Sequence, residues 1–225
     1  MEDLGRIGFS ENQGALLDIA TDFCARRSPI SRVRALIEDE LGHDPEVWRE
    51  IADLGWLGVA LPEEYGGSGL RLAEVAPIVE QMGRRLMGGP FISTTLAAQA
   101  LLAGGADVQK QAILPKIADG AAATLALMED SGEWDLTRVQ ARAEPAEGGL
   151  RLSGRKILVA DALAARWIVV SVLWQGRPAL VIAEQAAFAP AAFRRETVID
   201  ETRRSFTLDL DGTTIPADSL MDPAR

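Results

Sequence analysis

Leu125–Asp161 reads LALMEDSGEWDLTRVQARAEPAEGGLRLSGRKILVAD, and its rhythm decides what the second half of the chain is. Thr124–Met128 is a short apolar run with a β-branched start. Val139-Gln140-Ala141-Arg142-Ala143 alternates apolar and polar side chains, as a half-buried strand does. Gly148-Gly149 marks a hairpin turn into a strand over Leu150–Leu152, and a further strand runs toward Asp161. Trp167–Leu173 and Ala179–Ala183 are strongly apolar and are parted by Gln175-Gly176-Arg177-Pro178, a second hairpin signal. Thr207-Leu208-Asp209-Leu210 alternates again before the turn Asp211-Gly212. With no long helix between these strands, the pattern predicts an antiparallel β-barrel or sandwich and not a doubly wound sheet.

Upstream of the strip the period is helical. Ser10-Glu11-Asn12-Gln13 is a capping-box pattern, followed by Leu16, Ile19, Ala20 and Phe23 on one face. Asp44-Pro45 opens a second helix with the stripe Val47, Ile51 and Leu54, and Gly55 ends it. A third carries Leu72, Val75, Val79, Met82 and Leu86, with Pro77 either kinking it or marking a late start. Shorter helices follow around Thr95–Leu102 and Asp107–Ala118. The fold class expected is α+β, with an N-terminal all-α helical domain over 1–122 and an antiparallel β-barrel domain over 123–225.

The 225 residues suffice for a sizeable core, and 48% hydrophobic with 25% charged residues is an ordinary globular composition. A net charge of −10 argues against a nucleic-acid surface and against a polybasic membrane patch, both of which need clustered Lys and Arg. Cys24, the single cysteine, excludes an intramolecular disulfide framework and reads as an inert core thiol on an apolar stripe. His43, the single histidine, excludes a His-rich metal site and reads as a surface loop residue. No apolar run reaches transmembrane length, and MEDLGRIGFSENQ is no signal peptide, so a cytoplasmic location is expected.

Leu54–Gly69 ends in Pro62-Glu63-Glu64-Tyr65-Gly66-Gly67-Ser68-Gly69, a glycine-rich turn without the Lys-Ser/Thr of a phosphate loop. With Leu54-Gly55-Trp56-Leu57-Gly58 before it, the segment is similar to the helical-domain signature G-x-x-G-x-x-x-P-E-x-Y-G-G-x-G of the acyl-CoA dehydrogenase family. The strip at Leu125–Asp161 resembles that family's flavin-facing segments, A-L-T-E-P-x-x-G-S-D and G-x-K-x-W-I-T, with Glu129, Asp135, Gly154 and Lys156 in register. Gln109–Gly120 looks like its Q-x-x-x-L-P-x-I-x-x-G helix, and Phe206–Asp218 like the end of its β domain. Asp200-Glu201-Thr202-Arg203-Arg204 resembles a D-x-T-R pattern of bacterial members acting on sterol or other bulky acyl-CoA thioesters.

The resemblance implies FAD as cofactor, an acyl-CoA thioester as substrate and electron-transfer flavoprotein as electron acceptor. It implies an α,β-dehydrogenation in which a carboxylate removes the α proton and hydride passes to flavin. The family's base lies in a C-terminal four-helix domain that would begin after Arg225 and is expected to be absent, so no catalytic residue is assigned. The family's cofactor-binding positions fall on Leu127, Met128, Glu133, Trp134, Leu158 and Ala160. Met128 and Ala160 stand where the family has threonines, Glu133-Trp134 where it has Gly-Ser, and Leu158 where it has a tryptophan. Losing several hydrogen bonds at about 0.5–1.5 kcal/mol each weakens cofactor affinity by orders of magnitude. Trp134 either fills the pocket or itself stacks on a ligand.

Two functions remain open. One is the N-terminal part of an FAD-binding acyl-CoA dehydrogenase that is itself catalytic when complete. The other, preferred, is a flavin-site-degenerate subunit that supports a homologous catalytic partner; a homo-oligomer is the remaining assembly. A stand-alone acyl-CoA binding module has little support, because no basic cluster awaits the CoA phosphates.

Overall fold

A computed structural model of the chain describes residues 10–133 and 135–221. α1 (Glu11–Arg27) starts on the expected capping box: Ser10 Oγ accepts from Gln13 N, and the Gln13 carboxamide accepts from Ser10 N. Ala20, Phe23 and Cys24 are its buried positions, whereas Ile19 is 47% exposed. The buried stripe thus centres past Ile19, which falls on its flank.

α2 (Ile30–Ile37) has no counterpart among the expected helices, although Ile30, Val33 and Ile37 recur at helical spacing; only Val33 is buried. α3 (Pro45–Asp53) opens as expected, with Asp44 accepting from Glu46 N, and it buries Val47 and Ile51. Leu54 lies just past its end and is largely exposed, and Gly55 stops the helix at φ 72°. α4 (Ala76–Arg84) shows that Pro77 marks a late start. Leu72–Val75 forms a separate 3-10 turn before it, and Leu72 and Leu86 both lie outside the helix and exposed. α5 (Phe91–Gly104) is longer than expected at both ends, and α6 (Asp107–Ala118) has the expected bounds.

The helical core gathers around Trp56, which meets the rings of Phe23 and Phe91 edge-on at 5.1 and 6.4 Å. Cys24 is fully buried there, and burial pushes its thiol up to about 11 against the nearby Arg85 charge. His43 is half-buried, not a free surface residue, and packs edge-on against Trp48. The glycine-rich turn folds so tightly onto Leu61 that a Cβ on Gly67 would lie 2.1 Å from the Leu61 carbonyl oxygen. That close approach is the physical reason for glycine in the turn.

The strands are β1 (Ala123–Ala126), β2 (Arg142–Ala146), β3 (Gly149–Ser153), β4 (Arg155–Ala160), β5 (Trp167–Trp174), β6 (Arg177–Glu184), β7 (Phe193–Arg195), β8 (Ser205–Asp209) and β9 (Thr214–Ile215). One sheet runs β1-β5-β2-β3-β9 with β6 on the other side of β5; the second runs β4-β8-β7. Pairing is antiparallel except where β1 and β2 meet β5, both in parallel. The excursion through β2–β4 gives the chain enough length to cross over and lay β5 beside β1.

Val139, Ala141 and Ala143 are buried and Gln140 and Arg142 exposed, as alternation required. The ladder itself begins only at Arg142, after a 3-10 turn at Leu136–Arg138. The β core lies between the sheets around Leu152, Ile168, Val170, Val181, Phe206 and Leu208. A second cluster, with Leu114, Ile117, Trp167, Val169 and Ile182, joins the helical and β halves. Among the described residues no helix is long and apolar enough to cross a membrane.

Candidate functional site

Leu127 and Met128 continue β1 beyond its ladder. Met128 O accepts from Ile157 N at 2.9 Å, which brings this limb of the strip beside β4 and next to Leu158. Lys156 lies underneath, fully buried. Its Nζ donates to Glu129 Oε1 at 2.8 Å, Ser171 Oγ at 2.9 Å and Leu127 O at 3.4 Å. Glu129 also accepts from Gln140 N and Ala141 N, each at 2.9 Å. Burial works to raise the Glu129 carboxyl, but Lys156 and the two N–H groups outweigh it and hold the group below its usual range. Burial pulls the Lys156 ammonium down, and Glu129 offsets part of that. Glu129 and Lys156, in register with the family pattern but without a role assigned from sequence, are the bolt that fixes the strip.

Leu158 has φ +53° in a bulge between Lys156 and Val159. A left-handed leucine costs about 1–2 kcal/mol, so the surroundings must hold it. Glu196 does so: its carboxylate accepts from Leu158 N at 3.2 Å, from Ser205 Oγ at 2.7 Å and from Thr207 Oγ1 at 2.8 Å. Leu158 and Ala160 both face solvent, and the Leu158 side chain is 51% exposed. The structure therefore brings Leu127, Met128, Leu158 and Ala160 into one neighbourhood whose side chains offer no hydrogen-bond donor. Glu133 stands apart in its own loop, where it accepts from Arg138 at 3.0 Å and from Asp135 N at 3.1 Å. Trp134, the remaining strip position, lies outside the described residues.

Asp161, at the end of the strip, is 7% exposed with φ +53°, and its Oδ2 accepts from Ser93 Oγ at 2.8 Å. Burial pushes its carboxyl up, against the Ser93 hydrogen bond and the charges of Arg203, His43 and Arg204. Arg204 is 3% exposed and donates to Leu36 O at 2.6 Å, Ile37 O at 2.9 Å and Asp39 O at 2.7 Å. It thereby caps the C-terminal end of α2 from the β half. The D-E-T-R-R loop is thus a junction between the two halves. Its partners lie at the end of α2 and just after it, more than 160 residues away in the chain, and no local signal in the sequence pairs them with Arg204. Among the described residues no group of His, Cys, Asp and Glu is arranged to hold a metal ion.

Residues 10–121 match the family model described as acyl-CoA dehydrogenase, N-terminal domain. The acyl-CoA dehydrogenase IpdE2 of Mycolicibacterium smegmatis is 35% identical over 50% of this chain and 35% of its own length. The acyl-CoA dehydrogenase FadE12 of Mycobacterium tuberculosis is 30% identical over 80% of this chain and 48% of its own length. A solved variant of the Tcur3481-Tcur3483 steroid ACAD superposes with a TM-score of 0.83 at 30% identity, covering 95% of this chain and 58% of that one. The chain thus spans about half the length, or less, of the curated relatives it matches.

Proposed function

The chain belongs to the acyl-CoA dehydrogenase family, and from that premise we propose that it serves the FAD-dependent α,β-dehydrogenation of an acyl-CoA thioester as a supporting subunit, its own flavin strip no longer built to hold the ring. One observation carries this reading: of the described strip positions, Leu127, Met128, Leu158 and Ala160 lie together, and their side chains offer no donor to the polar edge of a flavin. The Leu158 N–H, which the bulge frees from the ladder, is taken by Glu196. These residues do not fit the cofactor.

In this reading the chain's own residues do a mechanical task. Glu129, Lys156 and Ser171 keep the strip in shape, and its apolar side chains form a shelf for a homologous subunit that carries flavin and base. The paired designation of the similar steroid ACAD supports an assembly of two gene products and a bulky, sterol-like acyl group. Electron-transfer flavoprotein as acceptor and a cytoplasmic setting complete the proposal, with the helical unit over 1–122 and the β unit over 123–225.

The test is expression alone and together with a neighbouring dehydrogenase subunit. Alone, the protein is expected to purify without flavin absorbance; together, the two are expected to co-purify as a yellow, active complex. Stoichiometric flavin in the protein expressed alone refutes the proposal.

A further inference from the structure

Between α6 and the β half runs a groove of about 550 Å³. Ile113, Trp167 and Ile182 form its buried floor, and Val108, Ala112 and Ala187 its exposed walls. Val108 is 68% exposed, the most open large apolar side chain on any helix among the described residues. The charges of the groove sit at opposite ends. Gln109 Nε2 donates to Asp218 O at 2.7 Å, which fixes Asp218 beside the first turn of α6. Lys116 stands seven residues further on, about 10 Å along the helix. Among the described residues neither Asp218 nor Lys116 has an ion-pair partner. Lys116 Nζ lies instead over the Trp167 ring, 5.7 Å from its centroid. Glu184, the remaining charge in the lining, faces Arg166 at 3.9 Å.

We propose that this groove docks one amphipathic helix of a partner protein, laid along α6, with an acid and a base two turns apart on either side of apolar side chains. A helix presents positions i, i+3, i+4 and i+7 on one face, and groove-bound helices are read through those anchors. From i to i+7 is again about 10 Å, the spacing that parts Asp218 from Lys116. The partner's acid meets Lys116, its base meets Asp218, and its i+3 and i+4 side chains cover Ile113 and Ile182. A polyanion is disfavoured, because Asp218 and Glu184 repel it. None of the lining residues belongs to the shelf of Leu127, Met128, Leu158 and Ala160, so the site goes beyond the supporting-subunit reading and stands without it.

The probe is a capped, hydrocarbon-stapled helix bearing Glu-Gln-Ala-Leu-Leu-Gln-Ala-Lys, titrated into the full chain and followed by amide chemical shift. Its control carries Gln in place of both Glu and Lys. Shifts are expected at Val108, Ala112 and Ala187, and at low salt the charged helix should bind about fivefold tighter than the control. That difference is expected to shrink in about 1 M salt. Ala112→Arg, at an exposed position, is expected to melt like the wild type and to bind neither helix. Lys116→Glu and Asp218→Lys should each weaken the charged helix about threefold or more. The two together should restore it, because a docked helix can turn end for end. Should Ala112→Arg melt early, the charge variants decide alone. No binding, equal binding of both helices at low salt, binding that survives a folded Ala112→Arg, or a double variant no better than the single ones overturns the proposal. So does a concentration-dependent shift of the same amides without peptide, which would put a second copy of the chain in the groove.

Discussion

Lys156→Met removes a buried ammonium and keeps its bulk, so it isolates what the Glu129–Lys156 bolt contributes. Breaking a buried pair by deleting one partner costs about 3–5 kcal/mol, mostly because the other charge is left uncompensated. Here the Glu129 side chain retains 13% exposure and its N–H donors from Gln140 and Ala141, which places the loss near the lower end, about 3 kcal/mol. For a chain of this size that lowers the melting temperature by about 6–12 °C. Adding Glu129→Gln should return about 1 kcal/mol or more, because an amide oxygen still accepts from Ala141 N and no buried charge remains.

The pH dependence carries the sign. Wild-type Glu129 is held below its ordinary value of 4.5, so its stabilisation is present above that pH and is lost as pH falls through the folded-state value. In Lys156→Met, burial acts on the carboxyl with its strongest opponent gone, the folded-state value moves up, and stability recovers on acidification. Urea unfolding at neutral and mildly acidic pH measures both effects. A loss under about 1 kcal/mol, or a double variant no more stable than Lys156→Met at neutral pH, refutes the reasoning.

Arg204→Met should cost about 2–4 kcal/mol, since the carbonyls of Leu36, Ile37 and Asp39 lose their donor together. Thermal melts measure it, and hydrogen exchange should show α2 loosening first. Asp161→Asn keeps an acceptor for Ser93 Oγ and removes a buried charge. The raised folded-state pKa of Asp161 means its stabilisation is present below the ordinary value of 3.8 and is lost as pH rises through the folded value. The variant should therefore match or exceed the wild type in melts at neutral pH, with the difference shrinking toward acid; a variant less stable at neutral pH counts against this.

Features encoded within a few residues are legible in the chain itself. Ser10 and Gln13 cap α1, Pro45 starts α3, Gly55 stops it, and the alternation of Val139–Ala143 buries the expected side chains. Each depends on hydrogen bonds or steric limits that span a turn or less, so the local sequence carries the whole cause. Pro77 left two outcomes open, and the structure shows the late start, with Pro77 in the first turn of α4 after a separate 3-10 turn. α2 goes unread although Ile30, Val33 and Ile37 recur at helical spacing, because eight residues are too few for a period to stand out.

The site divides along the same line. Order and spacing of residues along Leu125–Asp161 were enough to mark the family, because those are properties of the chain as a line. Whether Lys156 faces solvent or core is not: a strand lysine reads as exposed until Glu129, 27 residues away, and Ser171 close around it. Glu196 reaches Leu158 across 38 residues, and Arg204 reaches Leu36 across 168. The sequence by itself determined most of the elements, their order and the side chains along the strip. Only the tertiary structure decided which charges are buried and which donors are spent. Burial and partnership are properties of space, and residues far apart in the chain acquire them only when it folds.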